Sequence, residues 1–164
     1  MDNQLSPSPL GRAAWAEKAL YAAVKIGTRQ YFIIAAGYDT FAYRQPAWAE
    51  KLQVIEFDHP LMSEDKQTRI RRICKNKPNN LTYIPINLTT ESIFEKARSC
   101  SLKKDKLSFT LYKSRLSRVQ QVEQSVKHLF QRLNLRTVCN IFIYDSFIGC
   151  DNCLCDEGTA VFIF

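Results

Sequence analysis

Short apolar runs rich in β-formers alternate with stretches of helical periodicity along most of this chain. No other feature constrains its fold as much. The runs are QYFIIAA, QVIEFD, LTYIPI, KLSFTLY and TVCNIFIY. GRAAWAEKALYAAVKIG precedes the first of them and sets Trp15, Ala19, Ala22, Ala23 and Ile26 at helical spacing before a stop at Gly27. QPAWAEKL adds a short helical stretch, and HPLMSEDKQTRIRRIC opens a helix on Pro60, where a missing N–H is harmless. TTESIFEKARSCS offers Thr89 or Thr90 as an N-cap, and SRVQQVEQSVKHLFQRL carries an apolar stripe from Val119 to Leu133. Strands alternating with helices predict an α/β fold, a mostly parallel sheet with helices on both faces. Right-handed crossovers gather the carboxyl ends of such strands at one edge, and ligands bind there, where strand order reverses. The residues that follow each strand are therefore the first candidates for a site.

The chain's 164 residues suit a single domain over 1–164, with 1–11 as a flexible lead. The first fifteen residues lack a basic start followed by an apolar core, and no apolar run approaches the ~20 residues of a span. The expectation is a cytoplasmic protein without a membrane partner. Net charge is +7, but the basic residues come in short groups, such as Arg69, Arg71 and Arg72, that read as solvated faces. No element interleaves arginines with aromatics, so nucleic acid is not an expected partner. Cys150 and Cys153 have C-x-x-C spacing, yet no second pair completes a four-ligand site, and no metal is expected.

After the first strand run, Gly37 allows a positive φ and a close ligand approach. The dinucleotide fingerprint G-x-G-x-x-G is missing, which argues against a pyrophosphate; a nucleoside without phosphates needs less glycine. Glu56 and Asp58 follow the second strand run, about twenty residues beyond Gly37. A carboxylate there can accept both hydroxyl protons of a ribose. Glu56 and Asp58 are expected to point to opposite sides of the strand, so that one reaches a ligand while the other makes a structural contact. His59 is expected to serve the start of the following helix.

GYDTFAYR, then EFDHP, then PINL, in this order, resemble the leucine carboxyl methyltransferase family, in particular its bacterial branch of class I O-methyltransferases. The resemblance covers roughly residues 12–111 and implies a Rossmann-like fold, S-adenosylmethionine as cofactor and methyl transfer to a carboxylate or hydroxyl. It implies that Gly37 lies against the amino-acid part of the cofactor, with Asp39 and Thr40 shaping the turn below. Asp58, with or without Glu56, would take the ribose hydroxyls, and Asn87 and Leu88 would lie beside the adenine. Arg12 would face the cofactor carboxylate, a match for a bidentate guanidinium. No catalytic side chain is implied, because the sulfonium is already activated and the protein has mainly to align the reactants and exclude water.

Residues 112–164 read as divergent. Ala35 replaces the first glycine of the family's G-A-G, and Asn87 replaces an aspartate. FTLYKSRLSRVQQ stands where the family carries L-G-V and Tyr-Tyr-Leu text. The C-terminal part is expected to be incomplete, as a truncated or frame-disturbed gene would leave it. The expected partner is a small molecule or a protein carboxylate. The alternative is an inactive remnant that serves as a binding module.

Overall fold

The computed structural model describes residues 9–73, 76–98, 100, 102, 106–113, 124, 131–132, 137–143 and 148–151. Helix α1 (Pro9–Lys25) leads into β1 (Thr28–Ile34), and two 3-10 turns (Phe41–Tyr43 and Ala47–Ala49) connect it to β2 (Gln53–Asp58). Then follow α2 (Pro60–Ile73), β3 (Leu81–Pro85), α3 (Ile93–Arg98), β4 (Leu107–Lys113), β5 (Thr137–Ile143) and β6 (Ile148–Asp151). The six strands form one sheet in the order β3-β2-β1-β4-β5-β6. The first five run parallel, and β6 pairs antiparallel with β5.

β1 sits at the point where the strand order reverses. The chain steps outward from it to β2 and β3, then returns to place β4 on its other side. Its side chains are buried on both faces, as a central parallel strand requires. Tyr31 and Ile33 join one core layer with Ala16, Leu20 and Ala23 of α1 and Phe109 and Leu111 of β4. Phe32 and Ile34 join the other, with Ile55, Phe57, Ile84 and Ile93 and Ala97 of α3. Helices thus cover both faces, as the alternating pattern predicts.

Most boundaries follow the sequence, and the departures have local causes. β1 stops at Ile34 rather than running through Ala36, because Ala35 turns into the left-handed region at φ +55°. Neither Thr89 nor Thr90 caps α3, which begins only at Ile93. Asn87 instead builds a turn before it: its carbonyl accepts from the N–H groups of Thr90 (3.0 Å) and Glu91 (2.8 Å). Its Oδ1 accepts from the Thr89 N–H (3.0 Å) and hydroxyl (2.6 Å). Strand β6 was not expected. Most of the helical stripe expected over 119–133 lies outside the described residues, and so does Cys153.

Candidate functional site

The carboxyl tips of β1, β2 and β3 meet through main-chain and carboxylate contacts. The turn after β1 closes when the Asp39 N–H donates to the Ala36 carbonyl (3.0 Å). Gly37 stands inside this turn at φ +53°, where an L side chain would be strained, and a Cβ built there would meet nothing within 4 Å. The Gly37 N–H donates to Asp58 Oδ2 at 2.5 Å. The other carboxylate oxygen of Asp58 accepts from the His59 N–H at 2.7 Å. The Asp58 carbonyl in turn accepts from the Ile86 N–H at 2.7 Å, which draws the β3 tip and the adjoining Asn87 alongside.

Asp39 shapes the same loop. Its Oδ1 accepts from the Phe41 N–H at 2.7 Å and so holds the start of the first 3-10 turn. Thr40 Oγ1 accepts from Arg44 Nε at 3.0 Å. Arg44 also reaches back to Glu17 of α1 with a two-pronged contact, Nη1 to Oε2 at 3.0 Å and Nη2 to Oε1. α1 therefore runs antiparallel to β1 and brings its first turn, with Arg12, toward the carboxyl tips. The Arg12 side chain itself lies outside the described residues. Tyr38 crosses to α2: its hydroxyl donates to Asp65, which also takes Arg69 Nε at 2.8 Å.

Glu56 and Asp58 are two residues apart on one strand and therefore share a face of β2, contrary to the expectation of opposite sides. Depth separates them instead. Glu56 is 2% exposed and bonded to Lys66 Nζ of α2 at 2.5 Å, while Asp58 is half-buried at the rim. Burial pushes the Glu56 carboxyl above its ordinary range against the pull of the Lys66 ammonium, and the charges of Asp39 and Asp58 push it the same way. Asn87 and Glu91 close the far side: the Asn87 N–H donates to Glu91 Oε2 at 2.8 Å. That bond and the Lys96 ammonium hold the Glu91 carboxyl below its usual range. Leu88 packs at the margin of the second core layer. His59 caps α2, its carbonyl accepting from the Ser63 N–H at 2.9 Å.

The structure thus gathers Gly37, Asp39, Asp58 and Asn87 at one edge of the sheet and commits Glu56 to the interior. A cavity lined by Gln45, Pro46, Ala47, Glu50 and Asn80 lies elsewhere, beside the start of β3. Lys66 was not anticipated. It shares the buried face of α2 with Ser63, three residues before it, and two polar residues form no apolar stripe that would reveal that face in the sequence. The positive φ of Ala35 was also missed, although its place in a glycine-rich motif foreshadows it.

A family model described as leucine carboxyl methyltransferase matches residues 1–132, and so runs on past Leu111, where the motif likeness was expected to stop. YktD of Bacillus subtilis (strain 168), provisionally named an S-adenosyl-L-methionine-dependent methyltransferase, is 35% identical over 108 residues. That match covers 66% of this chain and 36% of YktD. A protein of Mycobacterium avium (strain 104) with the same provisional assignment is 34% identical over 77 residues, 47% of this chain and 24% of its own length. The matched segment thus spans little more than a third of these relatives at most. Among solved structures, the METTL16 MTase domain superposes with a TM-score of 0.53. It covers 84% of this chain and 52% of that one at 10% identity, a likeness of fold alone.

Proposed function

Because the chain belongs to the leucine carboxyl methyltransferase family, we propose that it binds S-adenosylmethionine at the carboxyl tips of β1, β2 and β3 and serves methyl transfer to a carboxylate or hydroxyl oxygen. The observation that carries this reading is the contact between Gly37 and Asp58. A glycine at φ +53° with open space where its Cβ would project is held directly by a rim carboxylate. Open space there lets a nucleoside approach bare backbone, and Asp58 keeps lone pairs free beyond the two N–H groups it already accepts.

Asp58, rather than Glu56, is the acceptor for ribose hydroxyls in this proposal, since Glu56 is closed off with Lys66. Asn87 offers its amide N–H₂ beside the adenine, because its Oδ1 is occupied by Thr89. Leu88 supplies apolar contact there, and Arg12 faces the cofactor carboxylate. Asp39 acts through the turn that it fastens. Asp39 and Asp58 put two carboxylates at the tips, which suits a ligand carrying a sulfonium and an ammonium. When bound, the cofactor supplies an activated methyl group. The chain's own residues bind, orient and exclude water, and none of them is required as a base for an acceptor that is already a carboxylate.

Two sequence departures favour a weaker second reading, a binding module without transfer. Ala35 puts a Cβ on a left-handed backbone in the first loop, and Asn87 removes a charge. Calorimetry with the full chain separates these possibilities. Heat of binding for S-adenosylmethionine is expected. Binding without methylation of any carboxylate or hydroxyl acceptor supports the module, and absence of binding overturns both.

A further inference from the structure

The two edges of the parallel sheet differ in how their charges are compensated. Among the described residues, four ion pairs form: Arg44–Glu17, Lys66–Glu56, Arg69–Asp65 and Lys96–Glu91. None of them uses the cations at the amino edge of β1, β2 and β3. There Lys25 ends α1, Lys51 stands two residues before β2, Arg71 lies in the last turn of α2, and Lys77 stands four residues before β3. All four are exposed. Their recorded contacts are to neutral groups. The Lys25 ammonium lies 4.5 Å from the centre of the Tyr21 ring, Arg71 donates to Thr68 Oγ1 at 3.3 Å, and Lys77 donates to the Leu81 carbonyl at 2.7 Å. Glu50, beside Lys51, is a carboxylate on this edge. Parallel pairing of β1, β2 and β3 brings the segments that carry these cations to one edge of the sheet, a basic rim on which Lys77 also lies 5.9 Å from the centre of the Tyr83 ring. No single stretch of sequence carries that rim, and for this reason its members read as scattered solvated charges.

Two aliphatic side chains stand in the same rim. Ile26, directly after α1, is 55% exposed, and Ile73, the last residue of α2, is 83% exposed. Exposed cations interleaved with exposed isoleucines match the surface of an anionic bilayer, where headgroups take the charges and the acyl boundary takes the apolar groups. A nucleic acid would satisfy the cations but would offer the isoleucines nothing, since bases stack on aromatic rings. We propose that the amino edge of the sheet docks this chain reversibly onto an anionic lipid surface, with the carboxyl tips turned away from it. The contact is peripheral: among the described residues no helix is long and apolar enough to cross a membrane.

Vesicle partitioning of the full chain tests the assignment, using phosphatidylcholine with and without phosphatidylserine. Binding is expected only with phosphatidylserine, weakening steeply as salt rises. Each cation near such a surface strengthens binding about fivefold, so Lys25→Glu/Lys51→Glu/Lys77→Glu should reduce partitioning by more than about 100-fold. Ile26→Ser/Ile73→Ser should reduce it by about tenfold or more while the charges stay in place. Should the charge variant fail to fold, the salt response of the unaltered chain carries the test. Equal partitioning to neutral vesicles, no partitioning to either, or no salt response overturns the proposal. So does full partitioning by the isoleucine variant together with displacement from the vesicles by a single-stranded oligonucleotide, which would make the rim a general polyanion site.

Discussion

In the middle of β2, Glu56 is closed into a buried ion pair with Lys66; at the tip of the same strand, Asp58 lies half-exposed and accepts from the N–H groups of Gly37 and His59. Only about 7 Å of strand separates these positions. The side-chain chemistry is nearly the same and the surroundings are not. In the interior, a carboxylate must find a cation or give up its charge. At the rim, water and backbone N–H groups share it, and lone pairs remain for a ligand. The difference teaches that depth along a strand, as much as which face a side chain takes, decides whether a carboxylate is committed to the fold or left open at the rim.

The sharpest way to break this contrast is to remove the cation. Lys66→Met leaves Glu56 buried and unpaired, and urea unfolding should report a loss of about 3–5 kcal/mol. The double variant Glu56→Leu/Lys66→Met should recover most of it, because an apolar pair of similar volume replaces the ion pair. At the tip, Asp58→Ala should lower S-adenosylmethionine affinity by about 1–3 kcal/mol in calorimetry, with a stability loss of only about 1 kcal/mol. An Asp58 variant that unfolds as deeply as Lys66→Met, or one that binds undiminished, would erase the distinction between the two positions.

A fourth variant probes the loop that joins the tips. An L-residue in the left-handed region carries about 1–2 kcal/mol of strain. Ala35→Gly should therefore raise stability by up to about 1 kcal/mol after the extra chain entropy of glycine is counted, read as an upward shift in Tm. Smallest is the pH slope. Burial raises the folded-state pKa of Glu56 above its unfolded value, so the folded chain holds that proton more tightly. The resulting stabilisation is complete at pH below the unfolded carboxyl value and is lost as pH rises through the raised one. Asp65 and Glu91, both lowered, contribute in the opposite sense, with stability lost as pH falls. Glu56→Gln should abolish the first component alone, seen as a flatter fall in stability with rising pH under mildly acidic conditions.

The alternation of QYFIIAA, QVIEFD, LTYIPI, KLSFTLY and TVCNIFIY was enough to predict a parallel α/β sheet, and the bounds of β2 agree with the quoted run to the residue. Strand propensity and burial act locally there, so composition reveals them. The glycine after β1 and the carboxylate that ends β2 were also legible, because a tight turn and a polar strand end leave marks in single residues. The ion pair of Glu56 was not, since Lys66 comes from a helix whose rotation depends on packing. Strand β6 escaped for the same kind of reason: IGCD carries no alternation of its own and gains strand character by pairing with β5. The turn at Asn87 displaced the predicted cap because one side-chain oxygen could satisfy both the N–H and the hydroxyl of Thr89.

The left-handed backbone at Ala35 has a genetic side. Every alanine codon becomes a glycine codon through one change at its second base, so the alternative residue is always a single substitution away. A chain under strong selection at this loop would meet that change often and keep it. Alleles drawn from natural isolates therefore form a ready-made experiment: fixation of glycine at position 35 would track lineages in which the loop is in use, and persistence of alanine would mark those in which its strain goes unnoticed.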